Sequence, residues 1–381
     1  MRMLRRIRQV SAIELLSHDR RPLRGFTTAV SLHSHTLHSK EGLDFVPRVL
    51  SKVAVANAAV GLLEERHRRR TGRGVPFDRV YWRPPLHPKA AFELECRQIR
   101  KELGLDPLVS ITDHDNIEAC SELRTLGIGV PYSVEWTVPY ASTVFHIGVH
   151  NLPPNDALEV CRAMQRVTAE PDNGSLTDML RQLDSMPDVL IVLNHPLSNE
   201  FRTGLGTHAR LLRHLLREHR RTIHALELNG LQPARNNVRV AEIAREIGVP
   251  VISGGDRHCL EPNANVNLTH AATFAEFVDE IRREGFSRVL FMPQYREAIS
   301  CRYVEFLSQA LATYREFPGR EHWFDRVFIP GATGDVPLSS VWPHGGPWPI
   351  RAFVSTIGVL ASRQMRPTLR MALRVQSEVE A

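Results

Sequence analysis

From residue 27 onward the chain repeats one pattern: a short β-branched or apolar run, then an amphipathic stretch of helical period. The runs are "TTAVSLH" (27–33), "PLVSITD" (107–113), "VPYSVEWTV" (130–138), "TVFHIGVH" (143–150), "DVLIVLNH" (188–195), "IHALELN" (223–229), "VPVISGGD" (249–256) and "SRVLFM" (287–292). Between most of them lie stretches such as "AFELECRQIRKELGL", "DALEVCRAMQRV", "LTDMLRQLDSM", "ARLLRHLLREH", "NVRVAEIAREIG" and "FAEFVDEIRREG". Short β-branched runs indicate strands, and apolar residues recurring every three or four positions indicate helices with one buried face. Strand followed by helix, repeated, favours a parallel sheet, because parallel neighbours need a long crossover and a helix supplies it. Several runs are apolar nearly throughout, as strands covered on both faces are. Seven or eight such units suffice to close a barrel, so the expected fold class is α/β, a (β/α)7-type barrel.

The 381-residue length leaves segments over, since α/β barrels commonly occupy roughly 200 to 250 residues. We expect a basic N-terminal segment at 1–26, the barrel at 27–295 and a C-terminal helical and irregular appendage at 296–381. Within the barrel, residues 44–89 lengthen the first connection with a helical insertion, "VPRVLSKVAVANAAVGLLEERHRRR", and a Pro-rich aromatic loop, "VPFDRVYWRPPLHP". Strand-to-helix connections are usually a handful of residues, and long ones tend to be functional. The tail holds a helical stretch at 298–315, a Gly/Pro/Trp section and a final Arg-bearing apolar helix at about 350–377. It is expected to pack on the barrel or on a second subunit, with docking on a membrane surface the alternative its basic amphipathic character allows.

Apolar residues at 43% and charged residues at 24% exclude fibrous and disordered classes. The net charge of +6 does not specify a nucleic-acid partner, because much of the excess sits at residues 2–24 and in "RHRRRTGR" at 66–73. Only Lys40, Lys52, Lys89 and Lys101 are lysines among 48 basic residues, a bias that a GC-rich genome explains as well as a binding task does. Five scattered cysteines, none in CxxC form, argue against a disulfide framework and a thiolate zinc knuckle. A reducing cytoplasm is therefore expected. The basic N-terminus lacks the apolar core of a signal peptide, being interrupted by Glu14, His18 and Asp19, and no run approaches the roughly 20 apolar residues of a membrane span.

The chemistry lies in position. His33 and His35, Asp113 and His114, Glu135, His146, His195, Asp256 and His258 fall at or just beyond the carboxyl ends of expected strands. In a parallel barrel those ends converge on the face where active sites are built. Singly, each signal is weak. An HxH on a strand sends both imidazoles to one side, which suits two ligands of one ion and equally two exposed histidines. Asp113 and Asp115 in "ITDHDNI" fit a helix N-cap, and Asp115 is assigned that role. Glu135 in "SVEWTV" sits among apolar neighbours, where an unpaired carboxylate is costly, so it requires a cation or a strong donor.

Taken in order, "LHSHTLHS", "ITDHD", "VEW", "FHIGVH", "LNHP" and "SGGDRH" resemble the motifs of the PHP family, named for bacterial polymerases and histidinol phosphatase, over residues 29–262. The resemblance implies a distorted barrel carrying up to three divalent ions. His33, His35, Glu135 and Asp256 would hold one ion, and Glu135 would reach a second with His146 and His195. His114, His258 and an acid after the HxH would take a third. The family commonly has "SDG" where this chain reads "SKEG", so Lys40 stands at the usual Asp position and Glu41 is the substitute acid. Asp256, His258 and His195 are the expected catalytic residues.

Oxygen and imidazole donors without thiolate suit Mn, Fe or Zn. Clustered ions acidify a bridging water and neutralise phosphoryl charge, so the expected activity is hydrolysis of phosphate esters on a small phosphorylated metabolite or nucleotide. Guanidinium matches phosphate bidentately, which makes Arg202, Arg235 and Arg257, in loops after strands, candidate substrate ligands, and Asn229 would bind substrate or orient a ligand. Three other readings stand beside this one. A nuclease or oligonucleotide phosphatase would use the Arg-rich insertion with Tyr81 and Trp82 to hold a strand. A PHP-like scaffold would have lost ligands, as the Lys40 departure hints, and an amidohydrolase would act on a C–N bond.

Overall fold

The computed structural model describes residues 10–16, 21–43, 61, 65, 68–69, 72, 79–199, 203–331, 334–362, 364–365, 367–368 and 371. Most of the expected helix of the first insertion and most of its Arg-rich run therefore lie outside the described residues, as does the end of the tail.

The strands, in chain order, are β1 (Val10–Leu15), β2 (Thr28–Ser31), β3 (Glu41–Gly42), β4 (Tyr81–Trp82), β5 (Asp106–Val109), β6 (Tyr132–Tyr140), β7 (Thr143–Leu152), β8 (Leu190–Asn194), β9 (Ala225–Asn229), β10 (Val251–Gly254), β11 (Asn265–Thr269), β12 (Phe286–Phe291), β13 (Val327–Pro330) and β14 (Asp335–Pro337). Helices α1 (Pro88–Gln98), α2 (Glu118–Thr125), α3 (Ala157–Ala169), α4 (Asn173–Asp184), α5 (Leu205–His219), α6 (Ala234–Ile247) and α7 (Phe274–Asp279) fall between them. In the tail, α8 (Ile299–Ala310) precedes the one-turn α9 (Trp323–Arg326), and α10 (Trp348–Leu360) closes the described chain.

Two five-stranded sheets, in the orders β1-β12-β11-β2-β5 and β10-β9-β8-β7-β6, make up the α/β body. Isolated bridges link Ser34 to Arg257 and His114 to Glu135, where strand ends of one sheet meet the other. Among the described residues the ladders do not close into a ring, so the expected (β/α)7 barrel is not seen as a continuous hydrogen-bonded structure. Strand direction also departs from the all-parallel expectation. β8-β9-β10, β2-β5 and β1-β12 are parallel, but β6, β7 and β8 run antiparallel in succession, and β11 is antiparallel to both neighbours. For β6 and β7 the reason is connection length: they are joined through a turn at Ala141, where φ is 51°, too short for the crossover that parallel pairing demands.

Between the sheets, Val30, Leu32, Leu190, Val192, Ala225 and Ile252 pack into one buried cluster with Phe274, Phe277 and Ile281. A larger core under α3, α4, α5 and α6 covers the outer face of β6–β10. Burial from both sides explains why "LIVLN" and "ALELN" show no apolar alternation.

The tail contributes to a third, four-stranded sheet in the order β14-β13-β4-β3, which joins β3, just before the first insertion, and β4, within it, to strands from the far end of the chain. Arg326, fully buried, anchors this assembly by donating to the carbonyls of Ala310, Ala312, Arg320 and Glu321. No described helix is long and apolar enough to cross a membrane.

Candidate metal centre

Residues following β2, β5, β8 and β10, together with side chains within β6 and β7, converge on one pocket. Strand alternation carries His33 and His35 to the same side, and their Nε2 atoms lie 3.0 Å apart. The Glu135 carboxylate stands at the centre, with Oε2 2.9 Å from His33, 3.2 Å from His35 and 3.4 Å from His114, and Oε1 3.1 Å from His195 and 3.7 Å from His146. Asp256 Oδ1 is 3.6 Å from both His33 and His35. Glu41 Oε2 lies 3.3 Å from both His114 and His258.

The donor atoms form four overlapping sets: His33 with His35 and Asp256, His33 with Glu135 and His195, His35 with His114 and Glu135, and His35 with Glu41 and His258. His35 thus joins three of the four sets. His146 belongs to none of them and touches the cluster through Glu135.

Hydrogen bonds on the far sides of the rings show that this donor set fits cations. His33 Nδ1 donates to Glu227 Oε1 (3.0 Å), His35 Nδ1 to Ser39 Oγ (3.1 Å) and His258 Nδ1 to the Asp256 carbonyl (2.9 Å). Each bond fixes a tautomer whose Nε2 lone pair faces the pocket, the arrangement of metal-bound histidines. Several lone pairs and carboxylates facing one another at these distances require positive charge between them.

The electrostatics say the same. Burial alone would lower His33, but Glu135, Glu227 and Asp256 hold it well above its ordinary value. Against the same burial penalty, Glu135 pushes His195 up to about 9 and Glu41 pushes His258 to about 9. Conversely, burial would raise Glu135 and Glu41, yet the surrounding imidazoles hold both well below the carboxylate range. Asp256 is likewise lowered by His33, His35 and His258. His195 (φ 26°) and Asp256 (φ 53°) occupy left-handed backbone, a strained conformation found where a side chain must be aimed.

Other expected site residues lie elsewhere. The Asp113 carboxylate accepts from Thr36 N and Oγ1, both at 2.6 Å, and so shapes the HxH loop. Asp115 was expected as a helix N-cap; instead its carboxylate accepts from Thr137 N of β6 (2.7 Å), and Asn116 accepts from Glu118 N at the start of α2. Arg257 was expected at the substrate and is not available to it. Its side chain is 1% exposed and donates to Glu95 Oε1 (2.6 Å) and to the carbonyls of Cys259 and Ala91, tying the β10 loop to α1. Arg235 is exposed on the first turn of α6, and Arg202 lies outside the described residues. Asn229, fully buried, donates to Glu227 Oε1 (2.9 Å) and Asp256 Oδ2 (3.0 Å), which makes it a support for those carboxylates.

Lys40 and Glu41 separate cleanly. Glu41 pairs with Trp82 across the β3-β4 ribbon, and both face His258, whose ring lies 6.3 Å from that of Trp82. Lys40 falls on the opposite face, with its ammonium 5.0 Å above the Tyr81 ring.

Sequence reasoning missed Glu227. It is 1% exposed, bonded to His33, and its Oε2 accepts from His195 N (3.1 Å). Like Glu135, it is a carboxylate between apolar strand neighbours, in "LELN". Its space is made by Gly254, where an added Cβ would stand 1.7 Å from Glu227 Oε1. Phe306 of α8, whose ring is 5.7 Å from that of His258, had no local signal.

No protein-family model matches this chain, and no curated protein does. Among solved structures, PsfC from Pseudomonas syringae PB-5123 is similar with a TM-score of 0.44 and 15% identity, covering 70% of this chain and 93% of its own. A putative metal-dependent phosphoesterase from Bifidobacterium adolescentis ATCC 15703 gives a TM-score of 0.32 and 17% identity over 53% of this chain and 92% of its own. An amidohydrolase from Chromobacterium violaceum, with bound sulfate and no metal, gives 0.32 and 14% over 60% of this chain and 87% of its own.

Proposed function

We propose that the chain is a PHP-type, metal-dependent phosphoesterase that hydrolyses a small phosphorylated metabolite or nucleotide in the cytoplasm. The observation that carries this reading is the convergence of six imidazole and carboxylate groups around Glu135 and His35, drawn from segments far apart in sequence, with the outer ring nitrogens of His33, His35 and His258 already hydrogen-bonded. The apolar cluster enclosed between the two sheets supports a distorted barrel as the scaffold. Five buried cysteines, with no disulfide among them, suit a reducing compartment.

Two or three divalent ions, of Mn, Fe or Zn type, would be held by the four donor sets, with His33, His35, Glu135, His195 and Asp256 on one side and His35, Glu41, His114 and His258 on the other. When bound, such ions activate water and neutralise charge on a phosphoryl group. The chain's own contribution is orientation. Glu227 and Ser39 fix the His33 and His35 tautomers, and Asn229 and Asn194 hold the Asp256 and Glu135 carboxylates, Asn194 Nδ2 donating to Glu135 Oε1 at 2.9 Å. Asp256, His258 and His195, expected as catalytic residues, would act as ligands of those ions: with Nε2 in a donor set and Nδ1 on the Asp256 carbonyl, His258 keeps no ring nitrogen for proton transfer.

Metal analysis of the purified protein, followed by phosphate release from nucleotides, sugar phosphates and histidinol phosphate, tests the reading. Two or three divalent ions per chain and release from at least one substrate are expected, with both reduced in His35→Ala. Full metal content and full activity in that variant would overturn it.

A further inference from the structure

The β3-β4 ribbon has two chemically opposite faces. Glu41 and Trp82 look toward the metal-ligand cluster; Lys40, Tyr81 and Arg83 look the other way, as strand alternation requires. On that outer face, Arg83 from the first insertion and Arg320 from the tail converge on one acceptor, the Leu37 carbonyl, at 3.2 and 3.5 Å. Lys40 stands over the same Tyr81 ring that Arg83 stacks on, at 5.0 and 5.8 Å, with Phe328 5.3 Å from the Arg83 guanidinium.

Among the described residues the hydrogen-bond acceptor both guanidiniums share is a carbonyl and not a carboxylate, and Arg83 Nε is buried without a hydrogen bond. The Tyr81 hydroxyl is engaged by the Arg83 guanidinium and also by the nearby acid, Asp335. Burial, and then the charge of Arg83, lower the Arg320 pKa, so the two guanidiniums destabilise one another as they stand. Like charges held together by aromatic stacking, with donors to spare, are a site that lacks its anion.

We propose that Lys40, Arg83 and Arg320 form an anion-binding site for a phosphate-type group on the outer face of the ribbon that carries Glu41. The chemistry admits two sources: a second anionic group on an extended substrate, or a free phosphate. The site does not require the metal centre to be catalytic, because its three cations lie across the ribbon from the metal-ligand cluster.

The test is a calorimetric titration of inorganic phosphate into the full-length, metal-loaded protein. The wild type should show a binding component that Arg320→Met and Arg83→Met each weaken at least tenfold while metal content stays at the wild-type value. Lys40→Met, a change at an exposed residue, should weaken the same component several-fold. Phosphate binding unchanged in Lys40→Met and Arg320→Met would overturn the proposal, whatever becomes of the metal content or activity. Kinetics assign the source. A rise in KM confined to substrates with two phosphates in Arg320→Met identifies the substrate's distal group, and unchanged KM values beside lost phosphate binding identify the free anion.

Discussion

Replacing Glu227 with Gln tests whether the pocket is organised for cations. The carboxylate accepts three hydrogen bonds: from His33 Nδ1 (3.0 Å) and Asn229 Nδ2 (2.9 Å) on Oε1, and from His195 N (3.1 Å) on Oε2. A glutamine amide has one accepting oxygen. If that oxygen faces His33 and Asn229, the NH2 group meets the His195 N–H, donor against donor; if flipped, the NH2 group meets two donors. The first arrangement is cheaper and still leaves one buried N–H unsatisfied, at about 1–3 kcal/mol. The His33 bond also changes from charged to neutral acceptor, which weakens the hold on the tautomer that presents Nε2. Outer partners of this kind typically contribute 10–100-fold to metal affinity, and the double effect places Glu227→Gln toward the upper end, at roughly 30–100-fold. Competition with a chelator of known affinity, monitored by metal content, measures it directly. Because Gln conserves volume, the space below Gly254 stays filled and the fold should persist. Wild-type metal affinity in a folded Glu227→Gln protein would refute the reasoning, since the His33–Glu227 bond would then be incidental to the cluster.

Arg257→Met should destabilise the fold by about 3–5 kcal/mol in denaturant titration, because it leaves Glu95 buried without its 2.6 Å partner; a substrate-binding role would instead raise KM at unchanged stability. In the metal-free protein, His195 and His258 are raised to about 9, above the ordinary value near 6.5. Their stabilisation is therefore complete below about pH 6.5 and lost as pH rises through 9, so the melting temperature should fall across that window, while the lowered carboxylates Glu41, Glu135 and Asp256 lose theirs as pH falls into the acid range. A flat profile between pH 6.5 and 9 would contradict it. Metal affinity should rise across the same interval, because binding displaces those protons. Phe306→Ala removes the ring 5.7 Å from His258 and should reduce occupancy of the Glu41–His258 corner in preference to the rest; equal loss of all bound metal would point to general unfolding instead.

Much of the centre was legible because its residues are short-range features of strand ends. HxH, DH, HP and DxH each sit where an apolar run stops, and a strand end fixes both the location and the side of a ligand without knowledge of the sheet order. What could not be read depends on partners. The strand β11, "NVNLT", escaped notice because its buried asparagines are polar: Asn265 Nδ2 donates to the Leu228 carbonyl and the Asn267 Oδ1 accepts from Ser253 N. β1 lies in an Arg-rich stretch and becomes a strand through its pairing with β12, visible only once register is known. Arg257 shares a motif with Asp256 and His258, yet points to α1; motif membership says nothing about side-chain direction. Glu227 was within reach of the burial argument already applied to Glu135.

The "SKEG" segment shows how the placement of one acid is decided by distant structure. Side chains on a strand alternate with period two, so moving the acid by one residue would ordinarily carry it to the opposite face. Here the chain places Glu41, not Lys40, on the cluster side of β3, and the extra methylene lets Oε2 reach His114 and His258. A two-residue strand cannot hold that register alone. β4 from the insertion pairs with it, β13 from the tail pairs with β4, and Arg83 N donates to the Arg326 carbonyl across the same edge. The buried Arg326 then fixes α8 and the segment before β13, which set Phe306 against His258. The insertion and the tail, which look like additions to a barrel when read as sequence, are therefore the parts that decide which residue after the HxH faces the ligands, and the cations Lys40, Arg83 and Arg320 gather on the other face as the necessary consequence of that choice.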